Sequence, residues 1–191
     1  HIFVVDGSGS MGGTPIKKAR ESMQKLAEKL FQKGDLISIV TTRTPCTDTP
    51  KQSSYISNIE DLKKVVNAIA PNSSDSIPAG FRYAQKEMIK NAPNIGHIYL
   101  FGDGDGLNQC EPGGMSAIVD EFKQKGSLAP FTYIGLDWSE AEKKEWNELL
   151  KKNGGVAYDF DEPLSMQQLS SSTQIKATPK REPIYFKKVE Y

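Results

Sequence analysis

Short apolar runs alternate along the chain with longer stretches in which hydrophobic residues recur every three or four positions, the pattern of a parallel sheet covered by helices. The runs at residues 2–5, 36–41, 98–101, 131–136 and 156–158 are too continuously apolar to leave one face of a strand in water, so both faces are expected to be covered. Between them, Ile16, Ala19, Met23, Leu26, Ala27 and Leu30 form one helical stripe, with Thr14 as its cap, Pro15 in its first turn and Gly34 past its end. Asn58 opens a second helix carrying Ile59, Leu62, Val65, Val66 and Ile69, and Ile77, Phe81, Ala84 and Met88 line a third. Met115, Ile118, Val119 and Phe122 give a fourth, closed by Gly126. Ser139 and Glu142 have the spacing of a capping box and open a fifth helix that runs towards Asn153. The predicted class is α/β: a doubly wound, mostly parallel central sheet, Rossmann-like, flanked by helices on both faces.

The remaining stretches are less regular. Residues 43–57, rich in Thr, Ser and Pro, read as a loop with a short edge strand near Tyr55 and Ile56. A last short helix is expected over residues 164–169. Beyond Ser170 the helical pattern stops, so residues 1–170 are read as one domain and 171–191 as a C-terminal extension, either a linker or a strap along the domain. The sequence starts directly inside a strand and reads as part of a longer chain, with no signal peptide visible.

Twenty-four basic residues balance 24 acidic ones, which removes any overall pull towards nucleic acid or an anionic membrane surface. No apolar run approaches the roughly 20 residues that span a bilayer, so membrane insertion of this segment is not expected. A charge-based function must therefore be local. Cys46 and Cys110 have neither the number nor the spacing of a zinc site. The order of elements puts both on loops at one end of the sheet. A disulfide there would favour an extracellular, cell-surface or periplasmic location; two unrelated thiols are the other reading.

In an open α/β sheet, ligands bind outside the carboxyl ends of the strands, and two polar clusters follow strands directly. The first is Asp6-Gly7-Ser8-Gly9-Ser10, in which a carboxylate and two hydroxyls alternate with glycine. The second is Gly102-Asp103-Gly104-Asp105-Gly106, from which one carboxylate can point into the same crevice. Oxygen donors without imidazole or thiolate suit a hard cation such as Mg²⁺, Mn²⁺ or Ca²⁺. Asp6, Ser8 and Ser10, followed by Met11 and further glycines, resemble the Asp-x-Ser-x-Ser motif that opens the metal ion-dependent adhesion site of von Willebrand factor A (VWA) domains. Asp103-Gly104 is similar to that family's later aspartate, and residues 154–158 with Asp161-Glu162-Pro163-Leu164 resemble its closing strand and helix.

The resemblance implies a non-enzymatic module that binds a protein ligand, with an acidic residue of the partner completing the metal's coordination. It also implies a third contribution between the second and third helices, where the family has threonine. Laid over that pattern, the sequence offers Asp75, flanked by Ser74 and Ser76, and which of the three faces the metal stays open. Coordination by Asp75 as well as by Asp6 and Asp103 would neutralise a divalent ion more fully and weaken its pull on a partner's carboxylate. A hydroxyl from Ser74 or Ser76 would leave that pull in place.

Competing readings attach to the same residues. Asp6, Ser8 and Ser10 would read structurally as a turn capping the first helix, and Asp103 as a capping or solvated aspartate. Asp105 and Asn108 look like part of a Ca²⁺ loop but lack its later glutamate. Ser10 is flanked by Ser8 and Gly12 where a nucleophile elbow needs glycine on both sides, and His97, at the opposite end of its strand, is badly placed for a Ser-His-Asp triad. Trp138 and Trp146 read as packing residues around the fifth helix, and Asn72-Ser73-Ser74 as a short glycosylation pattern. The run from Leu100 to Gly106 also resembles the Asp-x-Asp box of haloacid dehalogenase-type phosphatases, with Asp103 as nucleophile, Asp105 as acid/base and Mg²⁺ as cofactor. An intracellular regulatory A domain docking an ATPase assembly would use the same cation as an adhesin.

Overall fold

A computed structural model describes residues 1–32, 34–42, 50–72, 77–91, 96–109 and 111–161. Six strands form one sheet: β1 (Ile2–Val5), β2 (Ser38–Thr41), β3 (Lys51–Gln52), β4 (Ile98–Gly102), β5 (Phe131–Gly135) and β6 (Val156–Asp159), in the spatial order β3-β2-β1-β4-β5-β6. All neighbours are parallel except β2 and β3. Five α-helices connect them: α1 (Thr14–Phe31), α2 (Ile59–Asn67), α3 (Ile77–Asn91), α4 (Gly114–Gln124) and α5 (Glu140–Lys152).

Alternate side chains of a strand point to opposite faces, and the core divides accordingly. Phe3, Val5, Tyr99 and Phe101 pack with Ile16, Met23, Leu26, Leu62 and Val66 from α1 and α2. Ile2, Val4, Ile98, Leu100 and Tyr133 pack with Phe81, Ile118, Trp146 and Leu150 from α3, α4 and α5. The expected doubly wound α/β sheet is therefore present, with helices on both faces.

Two local signals act where they were expected, whereas at α1 the N-cap is Gly13 and not Thr14, which is already the first helical residue. The Asn58 side chain accepts the Asp61 amide at 2.9 Å and starts α2, and Ser139 and Glu142 close a reciprocal capping box at α5.

The sheet edges differ from the sequence reading. Strand β2 begins at Ser38, not Leu36, which is half exposed. The expected edge strand at Tyr55 and Ile56 reduces to one antiparallel bridge between Ile56 and Ile37, and the paired edge strand lies earlier, at Lys51–Gln52. The reason is Ser53, whose hydroxyl takes the Ile39 amide at 2.9 Å and interrupts the backbone ladder. At the other edge, Val156 is 49% exposed, so β6 does not have both faces covered. The expected helix over 164–169, the extension 171–191 and both cysteines lie outside the described residues.

A wholly buried glutamine and a part-buried histidine brace this frame. Gln85 of α3, wholly buried, donates to Ala129 O at 3.2 Å and accepts the Ala129 amide at 2.9 Å, joining α3 to the segment entering β5. Replacing Gln85 with the similarly sized Met strands two backbone groups, and urea unfolding should show a loss of about 2–6 kcal/mol at 1–3 kcal/mol per orphaned group.

His97, immediately before β4, pairs its Nε2 with Thr132 Oγ1 at 2.9 Å and stacks on Tyr99. Its backbone carbonyl accepts the Ile2 amide, which places it at the amino ends of the strands, away from the polar loops. Burial lowers its pKa from 6.5 to about 4. Between those values the unfolded chain binds the extra proton, so stability falls as pH drops through that window. From pH 7 to pH 5 this group should remove about 2 kcal/mol, and urea unfolding of His97→Gln at the two pH values should show that difference abolished.

Candidate metal centre

Strand β1 delivers its last residues into the centre of the sheet rim. Beyond Val5 the chain keeps its pairing with β4 for one more bond, from the Asp6 amide to Phe101 O at 2.9 Å. Asp6 is wholly buried, and its Oδ1 accepts the Ser8 amide at 2.8 Å, which bends the chain back over the carboxylate. The Gly7 peptide is held on both sides: its amide donates to Thr42 Oγ1 at 3.0 Å and its carbonyl accepts the Asn72 amide at 3.0 Å. Thr42 and Asn72 also line a neighbouring cavity of about 960 Å³ between β2–β3 and α2.

A single 3-10 turn, Gly9–Met11, follows and brings the Ser8 and Ser10 hydroxyls to 2.8 Å of each other. Ser8 is buried and Ser10 exposed, so the pair spans the boundary between interior and solvent. Met11, fully buried, anchors the far end of the turn in the core formed with α1 and α2. The reading of this loop as a helix cap does not describe these hydroxyls. The α1 N-cap is Gly13, and neither it nor Ser8 makes a side-chain capping bond.

The second cluster leaves the adjacent strand at the same level. Val5 lies opposite Phe101 in the register of β1 and β4, so Asp6 and Gly102 emerge side by side. A Cβ at Gly102 would lie 2.9 Å from Tyr133 Oη, 3.6 Å from Asp6 Cβ and 3.7 Å from Asp6 Oδ2. The Tyr133 hydroxyl is the contact that a side chain could not make without a shift, while Asp6 lies at ordinary van der Waals distance. Asp103 follows, partly buried. Burial first, then the charges of Asp6 and Asp103, push the Tyr133 phenol well above its usual pKa, so both carboxylates lie around one buried hydroxyl. They do not diverge to opposite edges of the sheet.

Gly104 has φ of 102°, and its surroundings are crowded. A Cβ there would meet Glu142 Cβ and Cδ and Trp138 Cβ, each at 2.9 Å. Its amide donates to Tyr133 Oη at 2.8 Å and its carbonyl accepts Trp146 Nε1 at 3.1 Å. The rings of Tyr133 and Trp146 stack, with centroids 3.7 Å apart and planes 14° from parallel. Trp146 is thus a packing residue, as the sequence suggested, and also a donor to the loop. Asp105 is exposed and bonds Glu142, whose carboxyl is held below its usual range: burial raises it, but the Ser139 and Asp105 hydrogen bonds outweigh that.

Of the six residues proposed from sequence, Asp6, Ser8 and Ser10 are brought together and Asp103 stands on the same rim. Ser74, Asp75 and Ser76 lie outside the described residues; the Asn72 bond to Gly7 and the buried Ile77 at the start of α3 are the nearest described points. Among the described residues no group of three or more His, Cys, Asp or Glu side chains could hold a metal, so any ion here would depend on hydroxyl oxygens beside the two carboxylates. The donor set fits that use. Ligands at 2.0–2.1 Å around an octahedral Mg²⁺ leave adjacent oxygens about 2.9 Å apart, close to the 2.8 Å between Ser8 and Ser10. Thr42 and Tyr133 were not singled out from the sequence. The available signal was a hydroxyl in an otherwise apolar strand, which needs a partner once buried.

Comparison with known proteins places this arrangement in a family. The family model for the von Willebrand factor type A domain matches residues 2–172. No curated protein sequence matches the chain. Among solved structures, the vWF domain of the type V pili tip protein Mfa5 from Porphyromonas gingivalis superposes with a TM-score of 0.69 at 14% identity, covering 96% of this chain and 97% of that one. An aerotolerance-related membrane protein from Bacteroides fragilis, carrying multiple mutations to serines, gives 0.68 at 14% identity, with 91% and 96% coverage. Proximal thread matrix protein 1 from the mussel byssus, with a zinc-occupied MIDAS motif, gives 0.58 at 14% identity over 90% of this chain and 44% of that one. At such identities the superpositions speak for the fold, while the family match spans nearly the whole described chain: the protein belongs to the von Willebrand factor type A domain family.

Proposed function

We propose that this domain is a divalent-cation-dependent protein-binding module. The observation that carries the reading is the convergence of the Asp6 carboxylate, the paired Ser8 and Ser10 hydroxyls and Asp103 at the carboxyl ends of β1 and β4. A hard cation suits these oxygens, and Mg²⁺, Mn²⁺ or Ca²⁺ is the proposed occupant. Asp6, Ser8, Ser10 and Asp103 would hold it, with a further oxygen from Asp75, Ser76 or Ser74. Bound there, the ion supplies positive charge at the rim, available to an acidic residue of a partner protein.

The chain's own residues account for the rest. Two carboxylates roughly neutralise a divalent ion in formal charge, but neutral hydroxyl ligands add no further negative charge. A third coordinating carboxylate, from Asp75, would shift the balance from adhesion towards simple metal retention. Nucleic acid and bilayer insertion play no part in this reading. The charge totals are balanced, and among the described residues no helix is long and apolar enough to cross a membrane. The proposed ligand is protein, on an adhesin or on an intracellular assembly.

Calorimetric titration with Mg²⁺, Mn²⁺ and Ca²⁺ tests the proposal. Asp6→Ala should weaken binding by at least about 100-fold, the upper end of what losing a group that merely orients a ligand costs; heats identical to wild type would end the proposal. Phosphate release from a generic phosphoester, abolished in Asp103→Asn yet retained in Ser8→Ala, would transfer the site to phosphatase chemistry instead.

A further inference from the structure

The Asp103 loop is fixed from below by groups that belong to neither polar cluster. Gly104 donates its amide to Tyr133 Oη and gives its carbonyl to Trp146 Nε1, so the backbone just after Asp103 is gripped at both polar atoms. The two grips come from different elements, β5 and α5, and are locked to each other by the ring stack. Both side chains are wholly buried. Glu142 and Trp138 close the remaining space around the glycine.

The hydroxyl of Tyr133 faces two ways. Its oxygen is occupied by the Gly104 amide, so its proton must go to an acceptor, and the charged groups around it are Asp6, Asp103 and Glu142. One atom thus touches the backbone that aims Asp103 and stands beside the Asp6 carboxylate across the Gly102 backbone.

We propose that Tyr133 is a positioning residue for the cation site: through its hydroxyl and its stack on Trp146 it holds the Asp103 carboxylate in the orientation that lets it share an ion with Asp6, Ser8 and Ser10. The inference rests on the cation-binding reading above and adds the device that pre-orders the site. A ligand whose backbone is fixed before the ion arrives loses less freedom on binding, and groups that orient metal ligands typically contribute 10- to 100-fold in affinity.

Tyr133→Phe keeps the stack and removes the hydroxyl. Calorimetry with Mg²⁺, at a temperature where both proteins are fully folded, should show affinity falling at least about tenfold, and hydrogen exchange at the Gly104 amide should accelerate in the cation-free protein. Gln85→Met provides the comparison, since it destabilises the fold away from the rim and should leave Mg²⁺ affinity within about twofold of wild type. Wild-type affinity in Tyr133→Phe, with binding still abolished by Asp6→Ala, overturns the positioning role and spares the cation reading. An equal loss in Gln85→Met also overturns it, as a general effect of weakened folding. If wild type itself takes up no cation, both fall together. Should Tyr133→Phe fail to fold, Trp146→Phe takes its place under the same outcomes, because it keeps a ring on Tyr133 and removes the bond to the Gly104 carbonyl, with Gln85→Met controlling for the stability lost with the indole's volume.

Discussion

Parallel pairing of β1 with β4 is the constraint from which the rim of this domain follows. The two strands are remote in sequence, yet their register sets Val5 against Phe101, so both chains leave the sheet at one height. Had the register slipped by a single residue, every side chain on β4 would change face, and Asp103 would no longer follow the strand on the side where Asp6 ends. The pairing is held by apolar burial on both faces. Position 102 then favours glycine, because Tyr133 of β5, the neighbour on the other side, has placed a phenol oxygen 2.9 Å from where a Cβ would go.

Much of this was readable in the residues because the signals were local. Asn58 and the Ser139–Glu142 pair announce helix starts, since the groups that bond lie three residues apart. The Asp6, Ser8 and Ser10 spacing belongs to a single turn. Asp103 was found by a different route, the rule that ligands gather at the carboxyl ends of strands. What escaped notice depends on long-range contacts. Thr42 meets Gly7 across 35 positions, and Tyr133 and Trp146 meet Gly104 across 29 and 42. No periodicity links such residues; a tyrosine inside an apolar strand advertises only that its hydroxyl will seek a partner. The edge strands misled for a similar reason, since the Ser53 side chain substitutes for a backbone acceptor in a way that hydropathy does not register.

The two halves of the rim are built differently. The Asp6 loop is ordered from its own backbone, by the Ser8 amide and by bonds from Thr42 and Asn72 to the Gly7 peptide. The Asp103 loop is ordered from the core, by aromatic side chains of β5 and α5. The bonds to the Gly7 peptide thus support one loop and the Tyr133–Trp146 pair grips the other, with Tyr133 Oη also standing beside Asp6 across Gly102.

Met11 gives the first loop a further property. It follows Ser10 directly and is fully buried beside α1, so the serine turn cannot lift away without drawing a thioether side chain into water. Exposing such a side chain costs on the order of 2 kcal/mol, which leaves lifted forms at a few per cent of the population. The hydroxyl pair therefore waits in its final shape, and a visiting molecule meets a fixed surface, with the energetic penalty of ordering that loop already met when the protein folded.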